Sequence, residues 1–337
     1  MKQAMPVNEQ QLSPNLTFYD LHPPATDMLA EVTQSLSAAR PHLHPKYFYD
    51  ETGSRLFDAI TTTEEYYPTR TEAGLLEQYS GDIQRQIGAT GTIAEPGAGS
   101  CQKVRLLLER WAPDHYMPLE ISRDCLLQST RELSQAFPDI QISAVCADYC
   151  QALSLPSDSL SGGRVVFFPG STIGNFDPEE RRQFLRGLHH LAGPGGALLI
   201  GADLQKDSYR LNAAYNDAQG LTAAFNLNAL HHLNRALNCD FDVFNMRHVA
   251  FYNPEAQRIE MHLECLKDQQ LQLGECQLTL KSGTRIHTEN SYKFSVESFT
   301  RELMEAGFSP RGCWTDPDKL FSLHLASTDQ GLLTLPK

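Results

Sequence analysis

The sequence predicts an α/β fold, a doubly wound and mostly parallel sheet with an inserted second α+β lobe. Three observations predict it. Between Glu72 and roughly Asp203, short and nearly continuous apolar runs alternate with stretches of helical periodicity, as expected for strands buried on both faces. After Asp203 the texture changes to one or two helices and then to alternating strands with few helices between them. From Ser295 the first pattern returns and finishes the chain. A sheet interrupted by an insertion therefore accounts for one body from 71–205 plus 293–337, and a second from 1–70 plus 206–292.

Taken in order, helical periodicity covers Glu72–Ile87, followed by a strand at Thr92–Glu95 and a helix at Cys101–Trp111. A strand at Tyr116–Ile121, a helix at Asp124–Ala136 and strands at Ile140–Ala147 and Arg164–Phe168 come next. A helix at Pro178–Leu191 and a strand at Ala197–Ala202 complete the alternating region. In the insertion, Leu211–Asn238 reads as helix, and Phe244–Tyr252, Ile259–Leu266 and Leu271–Leu280 as an antiparallel meander. The end reads as helix Ser295–Ala306, a strand near Gly312–Thr315 and a strand at Leu320–Ala326. Residues 1–70 precede the first predicted strand and are expected to pack with the insertion.

At 337 residues, with 41% hydrophobic residues, the chain is long enough for an ample core. It carries 28 basic and 41 acidic residues, a net charge of −13, and no basic run. That balance argues against a sequence-independent grip on nucleic acid. No apolar run reaches the roughly 18 residues that cross a bilayer, so no membrane partner is expected. The segment Met1–Pro14 is polar, without the apolar stretch of an export signal, which suits a cytoplasmic protein with reduced thiols. The eight cysteines have no metal-like spacing. Cys146 and Cys150 bracket Asp148, but they read better as small packing residues than as ligands, and no metal is expected.

Chemistry concentrates first at Glu95-Pro96-Gly97-Ala98-Gly99, directly after a predicted strand. A Gly-x-Gly turn lets backbone approach a nucleotide closely. A dinucleotide site expects a third glycine three residues on, where this chain has Gln102. With no such fingerprint and no hydride-transfer partner, a nicotinamide oxidoreductase is disfavoured. What remains is an acid before the turn (Glu95), one at the next strand's end (Glu120), and one after a third strand (Asp148). This series suits a nucleoside without phosphate, and S-adenosylmethionine is the common cofactor of that description. Gly97 and Gly99 would pass under its methionine part, and Lys103, one helical turn in, would pair with its carboxylate. Glu120 has the spacing of a ribose-binding acid, while Asp148 and Tyr149 offer an acceptor and a ring to adenine.

A second constellation, Pro169-Gly170-Ser171-Thr172-Ile173-Gly174-Asn175, ends the fourth parallel strand, where open sheets bind ligands. Gly170 and Gly174 expose backbone, and Ser171, Thr172 and Asn175 supply hydrogen-bonding groups, although Asn175 or Asp177 also suits the cap of the following helix. Aromatic clusters at Tyr47-Phe48-Tyr49 and Tyr66-Tyr67 are of a density found more often in a core than in a site, although buried phenols still need partners. In Thr288-Glu289-Asn290-Ser291-Tyr292-Lys293-Phe294, Glu289 and Ser291 point to the same face of a strand. If buried, that pair would bind a neutral N–H donor or a cation.

These segments together resemble the histidine-specific Nα-methyltransferases of ergothioneine biosynthesis, which make trimethylhistidine (hercynine). The likeness is carried by KYFYDETGSRLFDAI and EYYPTRTE, the glycine turn, FPGSTIGN, DLQKDSYRLNAAYND, GLTAAFNLN, RIEM, TENSYKF and WTDP. It covers nearly the whole chain and implies a Rossmann-like class I methyltransferase sheet with a substrate-binding lobe. By resemblance, Gly97, Lys103, Glu120, Asp148 and Tyr149 contact S-adenosylmethionine, with Glu120 where an Asp is often found. Asn175 and Tyr215 correspond to residues that hold the amino acid's carboxylate and amine, and Tyr49 to one near the amine. Tyr66, Glu289 and Ser291, with Met261 beside them, correspond to residues that read the imidazole. The substrate so implied is L-histidine; a monomer is expected. Two other readings are weighed: a relative acting on another amino acid, such as one with an indole, against which Glu289, Ser291 and Met261 together speak, and a catalytically silent binding protein on the same scaffold, which would show an eroded cofactor series where this chain keeps it whole.

Overall fold

A computed structural model describes residues 8–21, 28–149 and 164–328. They divide into two compact units: the described parts of 1–23, 71–204 and 294–337, and those of 24–70 and 205–293.

The first unit is built on a nine-stranded sheet, with strands and helices numbered here along the whole chain. Its strands are β1 (Asn8–Ser13), β2 (Leu16–Asp20), β3 (Thr92–Pro96), β4 (His115–Glu120) and β5 (Gln141–Cys146), then β6 (Val165–Phe168), β7 (Ala197–Asp203), β13 (Ser309–Thr315) and β14 (Phe321–Ser327). Their order is β1-β2-β5-β4-β3-β6-β7-β14-β13. The strands from β2 to β7 run parallel, and β1 and β14 pair antiparallel with their neighbours. This is the doubly wound arrangement the alternation predicted. Strand order reverses between β3 and β6, which pair through Ile93–Val165 and Ala94–Val166. Side chains alternate between the faces of β3: Ile93 packs with Leu107, Leu126 and Leu133, whereas Ala94 belongs to a separate cluster with Met117 and Val145. The first cluster draws on α3 (Tyr67–Ile87), α4 (Arg105–Trp111) and α5 (Arg123–Ala136). Helices α6 (Pro178–Ala192) and α9 (Val296–Glu305) are joined by an ion pair between Arg181 and Glu302 at 2.6 Å.

Two details differ from the sequence expectation. Residues 8–20 form a hairpin on the edge of the large sheet, with β2 parallel to β5, and so do not belong with the insertion. The reason is local: Leu16 and Phe18 are buried on one face, and Asn15 donates to the carbonyls of Ser134, Phe137 and Ile140, which fastens the turn. Helix α4 starts at Arg105, not Cys101, because Cys101 takes a left-handed φ of 54° that interrupts helical geometry. Lys103 therefore precedes the helix instead of lying one turn into it.

The second unit holds α1 (Met28–Leu36), α2 (Glu51–Thr61), α7 (Ser208–Ala214) and α8 (Leu221–Leu237). It also has a three-stranded antiparallel sheet in the order β12-β9-β8, from β8 (Met246–Asn253), β9 (Arg258–Cys265) and β12 (Arg285–Tyr292). The predicted strand at 271–280 is a hairpin of β10 (Gln269–Leu273) and β11 (Cys276–Leu280), so the meander is a sheet plus a separate ribbon. Phe225, Ala229, Leu230 and Leu233 bury one stripe of α8, and Asp217 accepts from the amides of Leu221 and Thr222 at its start. Cys150 lies outside the described residues.

Candidate active site

In the first unit, two turns lie side by side at the carboxyl ends of β3 and β6, where the strand order reverses. Gly97 and Gly99 both have positive φ, 69° and 50°. The amides of Gly97 and Ala98 donate to the Leu119 carbonyl, fixing the turn against the end of β4. A Cβ on Gly97 would stand 3.0 Å from the Tyr149 hydroxyl, so glycine alone leaves this cradle open. Tyr149 is held edge-on to Phe168 and Phe184, and half-buried Asp148 precedes it just beyond β5.

Glu120 accepts from Gly99 N at 3.0 Å through one oxygen, and from Ile121 N and Ser122 N at 2.8 and 3.0 Å through the other. A carboxylate has about four acceptor positions, so roughly one remains for a hydroxyl. Glu95 plays a different part. It is buried, receives the Tyr116 hydroxyl at 2.5 Å, and burial pushes its carboxyl up to about 8.

Lys103 brings in a residue that pattern reading missed. Its Nζ lies 2.8 Å from the carboxylate of Glu72, which is buried on α3, and the other Glu72 oxygen accepts from Gly170 N at 2.7 Å. One carboxylate thus ties the glycine turn after β3 to the turn after β6. Gly170 has φ 86°, and a Cβ there would meet Lys103 Nζ at 2.8 Å. Glu72 ends the EYYPTRTE segment, but helical periodicity gave no sign that this acid would be buried. Beyond Gly170, Ser171 accepts from Asp203 N, Thr172 opens a 3₁₀ turn, and Asn175 is half-buried at its end. Asp177, not Asn175, caps α6, in a capping box with Glu180. These residues suit an adenosyl group without phosphates: the strand ends carry acids that accept from hydroxyls and amines, and an open glycine cradle faces a tyrosine.

The second unit gathers the other predicted residues. β12 pairs with β9 so that Glu289 stands opposite Met261, and both are buried. Burial pushes the Glu289 carboxyl up to about 7, against the pull of the Lys293 charge. Ser291 accepts from the Tyr215 hydroxyl at 2.8 Å and from Lys293 Nζ at 2.7 Å. Lys293 also donates to the Tyr215 hydroxyl at 3.2 Å. Tyr215 is therefore grouped with Ser291 rather than apart from it. Its carbonyl meets His248 Nε2 at 3.0 Å, and Asn226 holds the other nitrogen of that ring at 2.9 Å. Tyr66 lies edge-on to Tyr215 with centroids 6.4 Å apart, and Phe57 links Tyr66 to Tyr49, whose side chain is exposed. Asn226 and His248 escaped sequence reasoning, and Lys293 stood in the Thr288–Phe294 segment without being singled out. The alternation of 289 and 291 on one strand face, carried two residues on, is the signal that would have found it.

Comparison with known proteins concerns the chain as a whole. The profile of a family described as histidine-specific methyltransferase, SAM-dependent, matches residues 28–328. A histidine N-alpha-methyltransferase from Mycolicibacterium smegmatis is 41% identical over 303 residues, covering 88% of this chain and 93% of that protein. One from Mycobacterium tuberculosis is 39% identical over 304 residues, covering 88% and 94%. Ergothioneine biosynthesis protein 1 of Neurospora crassa is 29% identical over 94% of this chain, which matches 37% of that longer protein. The doubly wound sheet, the acid series at its strand ends and a match over most of the chain agree: this chain belongs to the histidine-specific, S-adenosylmethionine-dependent methyltransferase family.

Proposed function

We propose that this protein methylates the α-amine of L-histidine three times, forming hercynine for ergothioneine biosynthesis. The observation that carries the reading is the buried pair on β12: Glu289 can accept one imidazole N–H while Ser291 meets the other ring nitrogen. An indole has one N–H and no second ring nitrogen, so it would leave Ser291 unmatched. Sites built on such hydrogen bonds reject analogues lacking the partner by about 10⁴-fold.

Gly97, Gly99, Lys103, Glu120, Asp148 and Tyr149 are assigned to S-adenosylmethionine. It supplies an electrophilic methyl group on a sulfonium. Lys103 enters this assignment already paired with Glu72, so its role is to position the two turns as well as to attract the ligand's carboxylate. Asn175 and Tyr215 are assigned to the amino acid's carboxylate and amine, and Gly170 and Thr172 to backbone and hydroxyl contacts with the same substrate. Tyr49 orients the amine, and Tyr66 and Met261 wall the ring.

The amine must attack as the free base, so one proton leaves to solvent before each of the three transfers, the last from the dimethylammonium, and the tertiary amine then becomes quaternary with no proton left to lose. Most of the rate comes from holding nitrogen, carbon and sulfur in line. No side chain is needed as a strong base. Each methyl removes an N–H donor, so the amine's surroundings must tolerate growth, and tyrosine faces attract the resulting trimethylammonium. Incubation with histidine and S-adenosylmethionine, followed by mass spectrometry, tests the proposal. It predicts a product heavier by three methyl groups; unaltered histidine would refute it.

A further inference from the structure

Lys293 is 2% exposed, one residue past the end of β12, and so serves no surface role. Lysine is almost never so deeply buried unless its charge is used. Its ammonium donates to Ser291 Oγ at 2.7 Å and to the Tyr215 hydroxyl at 3.2 Å, and it lies 5.0 Å from the centre of the Tyr215 ring. The Tyr215 hydroxyl in turn donates to Ser291 Oγ at 2.8 Å. A serine hydroxyl has two acceptor positions and one proton. Both acceptor positions of Ser291 are therefore taken, which leaves its hydroxyl the part of a donor.

From this geometry we infer that Lys293 is a positioning residue that commits Ser291 to donate, so that the ring site takes an imidazole only as the neutral tautomer, with one N–H and one bare nitrogen. The inference rests on the assignment of Glu289 and Ser291 to the ring and adds the polarity of the contact. Glu289, two residues from Ser291 on the same strand face, accepts from the N–H. Ser291 donates to the bare nitrogen. An imidazolium, with N–H groups at both positions, would set a donor against a donor. The Lys293 charge also draws the Glu289 carboxyl down against the effect of burial, which favours the accepting carboxylate.

The test compares steady-state kinetics of the intact protein with Lys293→Met, Lys293→Gln, Ser291→Ala and the Lys293→Met/Ser291→Ala double variant. Two substrates are used: histidine and β-(pyrrol-3-yl)alanine, whose ring keeps an N–H but lacks the acceptor nitrogen. Loss of a charge-assisted hydrogen-bond arrangement predicts a rise of about tenfold or more in KM for histidine in Lys293→Met, with kcat changed much less. The preference for histidine over the pyrrole analogue shrinks in parallel. Lys293→Gln, which retains N–H donors, recovers much of both. In the Ser291→Ala background, Lys293→Met adds little further loss of discrimination. If Lys293→Met weakens both substrates equally, or its effect on discrimination adds fully to that of Ser291→Ala, the inference is wrong while histidine methylation stands. Failure of the underlying reading would show separately, as no methylated histidine from the unsubstituted protein.

Discussion

Two buried carboxyl groups illustrate how the same residue type is put to different uses. Glu95 sits under the glycine turn, raised to about 8 by burial and held by the Tyr116 hydroxyl, so it is mostly protonated at neutral pH. Its folded value lies above the ordinary 4.5, so the folded protein binds a proton that the unfolded chain has released. The associated stabilisation is complete below the ordinary value and is lost as pH rises through about 8. Replacing Glu95 with Gln is expected to flatten the fall of stability between pH 5 and 8 in denaturant titrations, the shape of the profile being the readout. Glu289, raised only to about 7 beside Lys293, keeps an ionised fraction at neutral pH, as its proposed part as acceptor for the ring N–H requires. Truncation in Glu289→Ala removes a charged partner and should lower kcat/KM for histidine by about 10²-fold. Calorimetry should find the affinity for S-adenosylmethionine within about twofold of the parent; an equal loss of both would remove Glu289 from the ring site.

Among the elements, the turn after β3 carries much of the cofactor assignment and the turn after β6 part of the amino-acid assignment, and their glycines matter for reasons of contact as well as dihedral angle. At Gly170 a side chain would meet both an unfavourable φ of 86° and Lys103 Nζ at 2.8 Å. Gly170→Ala should destabilise the protein by about 1–3 kcal/mol in thermal melts and also weaken cofactor binding, since Lys103 must move from Glu72. A parental melting temperature together with parental affinity would show that the tie between the turns is dispensable. The turns themselves were legible in the sequence because Gly-x-Gly after an apolar strand has a specific mechanical meaning. The Glu72 tie was not, because it joins residues 31 and 98 positions apart, a separation that no local pattern reports. The edge hairpin of β1 and β2 escaped for a related reason: its polar, alternating text gains its meaning only from pairing with β5. The late start of α4 depends on one left-handed residue, Cys101, which propensity does not foresee.

Across the whole molecule, the residues assigned to the cofactor and those assigned to the ring fall in different units of the chain. The acid series Glu120 and Asp148 belongs to the first, and Glu289, Ser291 and Lys293 to the second. Their losses should therefore separate. Asp148→Asn is expected to weaken S-adenosylmethionine binding by about tenfold, the scale of one charge-assisted hydrogen bond, while histidine binding to the free protein stays measurable by calorimetry. Unchanged cofactor affinity would take Asp148 out of the site. The interrupted sheet was visible from the change of texture near Asp203 and its return at Ser295, since buried parallel strands and half-buried antiparallel strands differ in apolar pattern. The acceptor's identity was visible only through long matching segments; composition and periodicity are silent about which amino acid a pocket reads.

The claim that the β12 face selects an imidazole is tested most directly by competition. The protein would be given the twenty common amino acids at equal concentration with methyl-labelled S-adenosylmethionine, and every labelled product identified by mass. The account predicts label in trimethylhistidine, with tryptophan, tyrosine and phenylalanine unlabelled. Label on tryptophan comparable to that on histidine, or none on histidine, would contradict it.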